Sequence, residues 1–264
     1  MKLSKTNLQV QEPAQQISQV ARFLWEKNWA EASAGNISLD ISNHYRGIDT
    51  EFPTFPMIPL PDPLKYIANH TIIITRKGSR MRDLAINPAD NICLVKMSRK
   101  GDGYRLMFED PDHPNEASSE VLAHLAIHNM LTKKGVSEKA ILHTHAHELI
   151  ALTHLTEFQD EQRLNLLLRS MHTETVFFIP EGIGYMPFHV PGSLEIATAT
   201  LRALENHKVV IWEKHGCLAI GNDVHQAFDR IDILAKSAKI YWQCRMSGSI
   251  PEGLTEQQMK KIKN

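Results

Sequence analysis

The sequence predicts an α/β fold, a single layered domain of mixed helices and strands with antiparallel pairing. Segments of helical period alternate with segments of strand period along the chain. Several strand-like segments follow one another too closely for helical crossovers, so neighbours are expected to pair antiparallel. No repeat, low-complexity tract or convincing boundary divides the 264 residues, and 42% apolar content is ample for a core.

Ile17, Val20, Ala21, Leu24 and Trp25 recur at three-and-four spacing, which predicts an amphipathic helix over residues 14–28. Asn36–Ile41 alternates, placing Ile37, Leu39 and Ile41 on one strand face. Between residues 43 and 70, Pro53, Pro56, Pro59, Pro61 and Pro63 exclude a helix or a central strand. Phe52, Phe55, Met57, Ile58 and Leu60 offer packing surface there, so an ordered excursion is expected. Strands are expected again at 71–75, 91–97 and 103–108. Ser118 or Ser119 can cap a helix that stops at Gly135.

A strand over 140–145 and helical segments to about residue 171 follow. Thr175–Ile179 is expected as another strand, and Pro191-Gly-Ser193 opens a helix to about Asn206. Residues 208–212 and 217–221 form two predicted strands around a tight turn that holds His215. Val224, Phe228, Ile231, Ala235, Ala238 and Trp242 mark a long helix from Asp223, and 249–264 is a tail.

Twenty-nine basic against 30 acidic side chains leave a net charge of −1, which argues against a dedicated nucleic-acid binder. Cys93, Cys217 and Cys244 are odd in number and lack a CxxC pair. They read as reduced, mostly buried thiols rather than a disulfide framework or zinc knuckle. The first residues lack the apolar stretch of a secretory signal, and the longest apolar runs are strand-length. A soluble, cytoplasmic chain without nucleic-acid or membrane partners is expected.

Fourteen residues, about one in nineteen, are histidine. His143-Thr-His145-Ala-His147 is the densest cluster. Residues two apart on a strand share a face, so His143 and His145 can address one ion, or they are satisfied structural histidines. His147 falls where the next helix begins and reads as exposed. His215 is the best candidate for a third ligand, or else an ordinary turn histidine; Gly216 beside it permits close backbone approach. Three neutral imidazoles would leave zinc an open position.

Glu120, His124 and His128 lie four apart on one helix face. As a ligand set they would span about 12 Å at a rise of about 1.5 Å per residue, so structural roles are favoured for the two histidines. Glu120, beside Ser118 and Ser119, sits at a helix start that suits an anion. Ser33-Ala34-Gly35-Asn36 is either a second anion contact or a plain helix stop before a strand. Thr75-Arg76-Lys77-Gly78 adds charge on a flexible turn, or is simply a solvated loop.

Taken in order, Ser33-Ala-Gly-Asn-Ile-Ser, Ser118-Ser-Glu-Val-Leu-Ala-His124 and His143-Thr-His-Ala-His-Glu-Leu-Ile-Ala-Leu-Thr resemble the class II aldolase/adducin family. Pro180-Glu-Gly-Ile-Gly, Val190-Pro-Gly-Ser and His215-Gly-Cys-Leu-Ala-Ile-Gly extend the resemblance to residues 17–247. It implies a mostly antiparallel central sheet flanked by helices, and a homotetramer with active sites between subunits. It further implies one zinc ion per subunit on His143, His145 and His215. Glu120 matches the catalytic carboxylate, and Glu174 a second glutamate supplied by a neighbouring subunit. Gly35, Asn36, Ser118 and Ser119 match positions lining the phosphate end of the site.

The implied activity is reversible cleavage of a phosphorylated ketose, L-rhamnulose 1-phosphate, to dihydroxyacetone phosphate and L-lactaldehyde. The alternatives within the same fold and metal set are a fuculose- or ribulose-phosphate aldolase, a pentulose-phosphate 4-epimerase and a methylthioribulose-phosphate dehydratase. Non-catalytic adducin-like modules share the architecture, but the three histidines and Glu120 argue against that reading. Two departures stand out. Ser33-Ala34 replaces an Asn-Gly pair, which changes one substrate hydrogen bond. Thr75–Gly78 replaces a Gly-Ser-rich phosphate loop, where Lys77 supplies positive charge instead.

Overall fold

The computed structural model describes residues 8–43, 56–106 and 116–262 of the chain. Its packing forms two compact units, Met1–Leu142 with Gly221–His225 and His143–Ile220 with Gln226–Asn264.

The first unit runs α1 (Leu8–Glu26), β1 (Asn36–Asp40), β2 (Ile58–Pro59), β3 (Thr71–Thr75), α2 (Met81–Ile86), α3 (Pro88–Asn91), β4 (Ile92–Met97), β5 (Gly103–Leu106) and α4 (Val121–Lys134). Its strands lie in the order β2-β5-β4-β3-β1, each neighbour antiparallel. β2 is the edge strand, where Pro59 costs no ladder bond. Leu60 and Leu64 from the proline-rich stretch pack on a core of Ile72, Ile74, Cys93, Val95, Tyr104 and Leu125. Pro53, Phe52, Phe55 and the end of the strand predicted to 108 lie outside the described residues.

α1 begins six residues before its periodicity predicts and buries Ile17, Val20, Ala21 and Leu24. Trp25, predicted on that face, is 47% exposed, because it lies past the edge of the stripe that packs on α2. β1 departs from simple alternation. Ile37 and Leu39 are buried as expected, but so are Asn36 and Ser38 on the opposite face, at 5% and 0% exposure. Hydrogen bonds from α4 satisfy that polar face.

Neither Ser118 nor Ser119 caps α4. Glu120 takes the cap position without a side-chain cap bond, and Ser118 Oγ accepts from Glu120 N at 3.3 Å. A turn closed by Val121 N on Ser118 O precedes the helix, moving its first residue past both serines. Gly135 ends it with φ 66°, a left-handed conformation that glycine adopts freely.

β6 (Ala140–Thr144) carries the chain into the second unit. There follow α5 (His147–Leu152), α6 (Glu161–Ser170), α7 (Thr173–Phe178), β7 (Gly184–Met186), α8 (Leu194–Ala203), β8 (Val209–Trp212), β9 (Gly216–Gly221), α9 (Val224–Met246) and α10 (Glu256–Ile262). β8 and β9 form the predicted hairpin, with Trp212 opposite Gly216. Ser193 caps α8 by accepting from Ile196 N at 3.3 Å.

One expectation fails in this unit, and two elements were not predicted. Thr175–Ile179 lies within and just after α7 rather than in a strand. Its buried residues are Thr175, Val176 and Ile179, a helical spacing, while Phe177 and Phe178 stand exposed. A five-residue β-branched and aromatic run cannot be distinguished from a helical turn by composition alone. β7 was not predicted, and it pairs parallel with β8 through the α8 crossover. The tail at 249–264 includes α10, anchored by buried Met259 and by Leu254 N donating to Ser170 O at 2.7 Å.

Cys93 and Cys217 are buried, and burial pushes both thiols up to about 12, as inert structural cysteines require. Cys244 is only half-buried. Among the described residues, no helix is long and apolar enough to cross a membrane.

Candidate active site

The end of β6 and the β8–β9 turn, both in the second unit, bring the three predicted ligands together. His143 lies in β6, and His145 follows one residue past its end. His215 occupies the turn after Lys214, whose φ of 58° reverses the chain sharply. One ligand atom from each of His143, His145 and His215 lies within 4.8 Å of the others. The ring centroids are 5.1–5.2 Å apart and the planes cross at 64–66°, so the three imidazoles are disposed almost equivalently.

Several contacts hold that arrangement. His143 Nδ1 donates to Cys217 O at 3.0 Å, which leaves Nε2 with its lone pair available. The Trp212 ring packs against His143 at 4.5 Å and stacks on His215 at 5.0 Å. Trp212 is itself fixed by Nε1 donating to Thr200 Oγ1 at 3.1 Å. A Cβ at Gly216 would meet Thr144 O at 2.6 Å and His145 Cδ2 at 3.0 Å, so only glycine lets β9 approach β6 this closely. Sequence reasoning anticipated Gly216 but missed Trp212 and the Cys217 carbonyl. The aromatic three residues before His215 was the available signal for the first; a backbone acceptor leaves none. Neutral imidazoles held by a carbonyl and an aromatic wall suit a divalent transition ion. His147 stays outside the cluster, exposed beside Glu148.

The predicted anion contacts lie in the first unit, on three segments that its backbone joins. Ile37 N bonds Thr75 Oγ1, Ser118 N donates to Thr75 O, and Arg76 bridges Ala117. The loop before β1, the turn after β3 and the start of α4 are thereby neighbours. Gly35 has φ 80°, Asn36 and Ser118 are buried, and Ser33 and Ser119 are exposed. Asn36 Nδ2 donates to Glu120 Oε2 at 2.8 Å. Lys77 Nζ pairs with Glu116 Oε2 at 2.5 Å, so part of its charge is already matched. His124 and His128 are buried and hydrogen-bonded to Ser38, the structural role favoured for them over metal binding.

These buried groups set an acid limit. Burial pushes His128 down to about 4, so the folded chain stays unprotonated there while an unfolded histidine titrates near 6.5. The contribution of His128 to stability is therefore full above pH ~6.5 and is lost, on the order of 3 kcal/mol, as the pH drops towards 4. Asp40 acts at lower pH: burial opposes its ionisation, but His70 at 2.6 Å, His128 and Ser42 outweigh it and hold the carboxyl at about 2. Its contribution is lost between about pH 4 and 2. Denaturant titrations at pH 7 and 4.5 should differ in the native chain and differ less in His128→Gln; equal differences would refute the assignment.

The chain matches the family model of the class II aldolase and adducin N-terminal domain over residues 15–242. It belongs to the class II aldolase/adducin family. Among members of this family, it is 37% identical over 250 residues to a rhamnulose-1-phosphate aldolase of Bacteroides thetaiotaomicron, covering 93% of this chain and 91% of that protein. A sugar-phosphate aldolase from Thermotoga maritima superposes with a TM-score of 0.78 at 32% identity, covering 92% of this chain and 99% of the other. The fold alone is shared with an L-fuculose-1-phosphate aldolase from Thermus thermophilus, at TM-score 0.57 and 20% identity over 91% and 99% of the two chains. Glu174 stands exposed in the first turn of α7, on the same short helix as exposed Phe177 and Phe178.

Proposed function

We propose that this chain is a zinc-dependent lyase that reversibly cleaves L-rhamnulose 1-phosphate to dihydroxyacetone phosphate and L-lactaldehyde. The convergence of His143, His145 and His215 carries the reading, in a chain so similar to a protein named for that activity. These three imidazoles would hold one zinc ion per subunit. A divalent ion held there would supply Lewis-acid stabilisation of the negative charge that develops when the carbon–carbon bond beta to the ketone breaks.

Glu120 moves the proton at the enediolate carbon, a task for a carboxylate positioned at the reacting atom. Glu174, contributed by a neighbouring subunit, orients or protonates the oxygen on the aldehyde side. Gly35, Asn36, Ser118 and Ser119 receive the phosphate through backbone and side-chain donors, with Ser33 and Lys77 at the margin. Sharing Glu174 requires at least a dimer, and the family resemblance favours a cyclic homotetramer working in the cytoplasm.

A panel of ketose 1-phosphates assayed for dihydroxyacetone phosphate release tests this. The highest kcat/KM is expected for L-rhamnulose 1-phosphate. A preference for L-fuculose 1-phosphate would reassign the substrate, and no release from any member would remove the aldolase reading.

A further inference from the structure

Five polar side chains of the first unit form one hydrogen-bonded chain that ends on Glu120. Glu120 Oε2 faces Asn36 Nδ2 at 2.8 Å, and Asn36 Oδ1 faces His124 Nε2 at 2.5 Å. His124 Nδ1 faces Ser38 Oγ at 2.7 Å, and the same oxygen faces His128 Nε2 at 2.8 Å. Asn36, Ser38, His124 and His128 are all buried. The geometry follows from two periodicities: Asn36 and Ser38 share one face of β1, and His124 and His128 share one face of α4.

Donor chemistry gives the chain a direction. An ionised carboxylate only accepts, so Asn36 presents its NH2 to Glu120 and its carbonyl to His124. His124 therefore donates from Nε2, and as a neutral imidazole it accepts at Nδ1 from the Ser38 hydroxyl. That uses the hydroxyl's one proton, so His128 Nε2–H donates to Ser38 Oγ. Burial keeps His128 neutral, in agreement with this order. Each donor points towards Glu120.

We propose that Ser38, His124 and His128 are positioning residues for Glu120. They hold the Asn36 amide in the one orientation that puts NH2 on Oε2, which fixes the carboxylate and leaves its other oxygen for proton transfer. The reverse amide orientation would set two oxygens against each other at Glu120 and two N–H donors against each other at His124. This rests on the reading of Glu120 as the proton-transfer group. A purely structural polar cluster would satisfy the same hydrogen bonds without acting through Glu120, and the two are separable by experiment.

The test is a double-mutant cycle followed in kcat and KM, with metal content checked for each variant. His124→Phe keeps the bulk but neither polar contact, and is expected to lower kcat about tenfold to a hundredfold. KM should change less than about twofold, since the loss concerns the reacting step. His124→Gln offers an N–H to Asn36 and an oxygen to Ser38, and should recover most of the rate. In a Glu120→Asp background, whose carboxylate is too short to reach Asn36, His124→Phe should cost nothing further. Equal losses in both backgrounds, an unaffected kcat, or no recovery by His124→Gln would each overturn the proposal. If His124→Phe fails to fold, Ser38→Ala enters the same cycle with the same expectations. Near-normal turnover in Glu120→Ala would overturn the underlying reading as well; loss in Glu120→Ala but none in His124→Phe overturns this proposal alone.

Discussion

Exhaustive chelation should reduce turnover on the order of a thousandfold or more, and added zinc should restore it. The expectation follows from the donors. His143, His145 and His215 present three imidazole nitrogens to one point, with His143 held by the Cys217 carbonyl and His215 by the Trp212 ring. Unlike thiolates, neutral imidazoles leave the ion its full double charge, and the enediolate needs that charge. His143→Ala should lose bound metal outright, read by elemental analysis, because His143 is the buried member whose ring touches Trp212. Full activity in metal-free protein would end the metal assignment. Because Trp212 lies against two of the three rings, removing the metal should also change tryptophan emission, and Trp212→Phe should abolish that change.

Glu120→Ala is expected to lower kcat by about 10²–10⁴, the usual range for losing a positioned acid–base group. Metal content should stay at the native level, because Glu120 is not among the three converging ligands. Glu120→Gln should be nearly as slow, although it still offers Asn36 an acceptor, since an amide cannot carry the proton. Metal analysis and turnover on the same preparations check both statements. Near-normal turnover in either variant would mean that another group moves the proton.

Long periodic elements were legible in the sequence, and short or polar ones were not. α1, α4 and α9 repeat apolar residues over many turns, and β3 and β4 are apolar runs of strand length. α7 was not legible, because a six-residue helix, five of whose residues are β-branched or aromatic, carries too little periodicity to override composition. β7 has three residues, and its parallel partner becomes evident only once α8 folds over between them. The burial of Asn36 and Ser38 was not legible, because nothing local announces the histidines that cover them.

The site divides along the same line. The residue types could be read from the chain alone: histidines two apart with a third beside a glycine, a glutamate ahead of a helix, and small residues before a strand. It also supplied the family resemblance that assigns Glu174. Contacts in the folded chain set which of the described histidines converge and which are sequestered. His143 and His215 are 72 residues apart, and they meet because Gly216 admits a carbonyl where any side chain would collide. His124 and His128 share an equally suggestive spacing, but β1 presents Ser38 and Asn36 to them, and their ring nitrogens go into hydrogen bonds. Spacing sets which faces are shared; what lies opposite a face is set by contacts between residues distant in sequence.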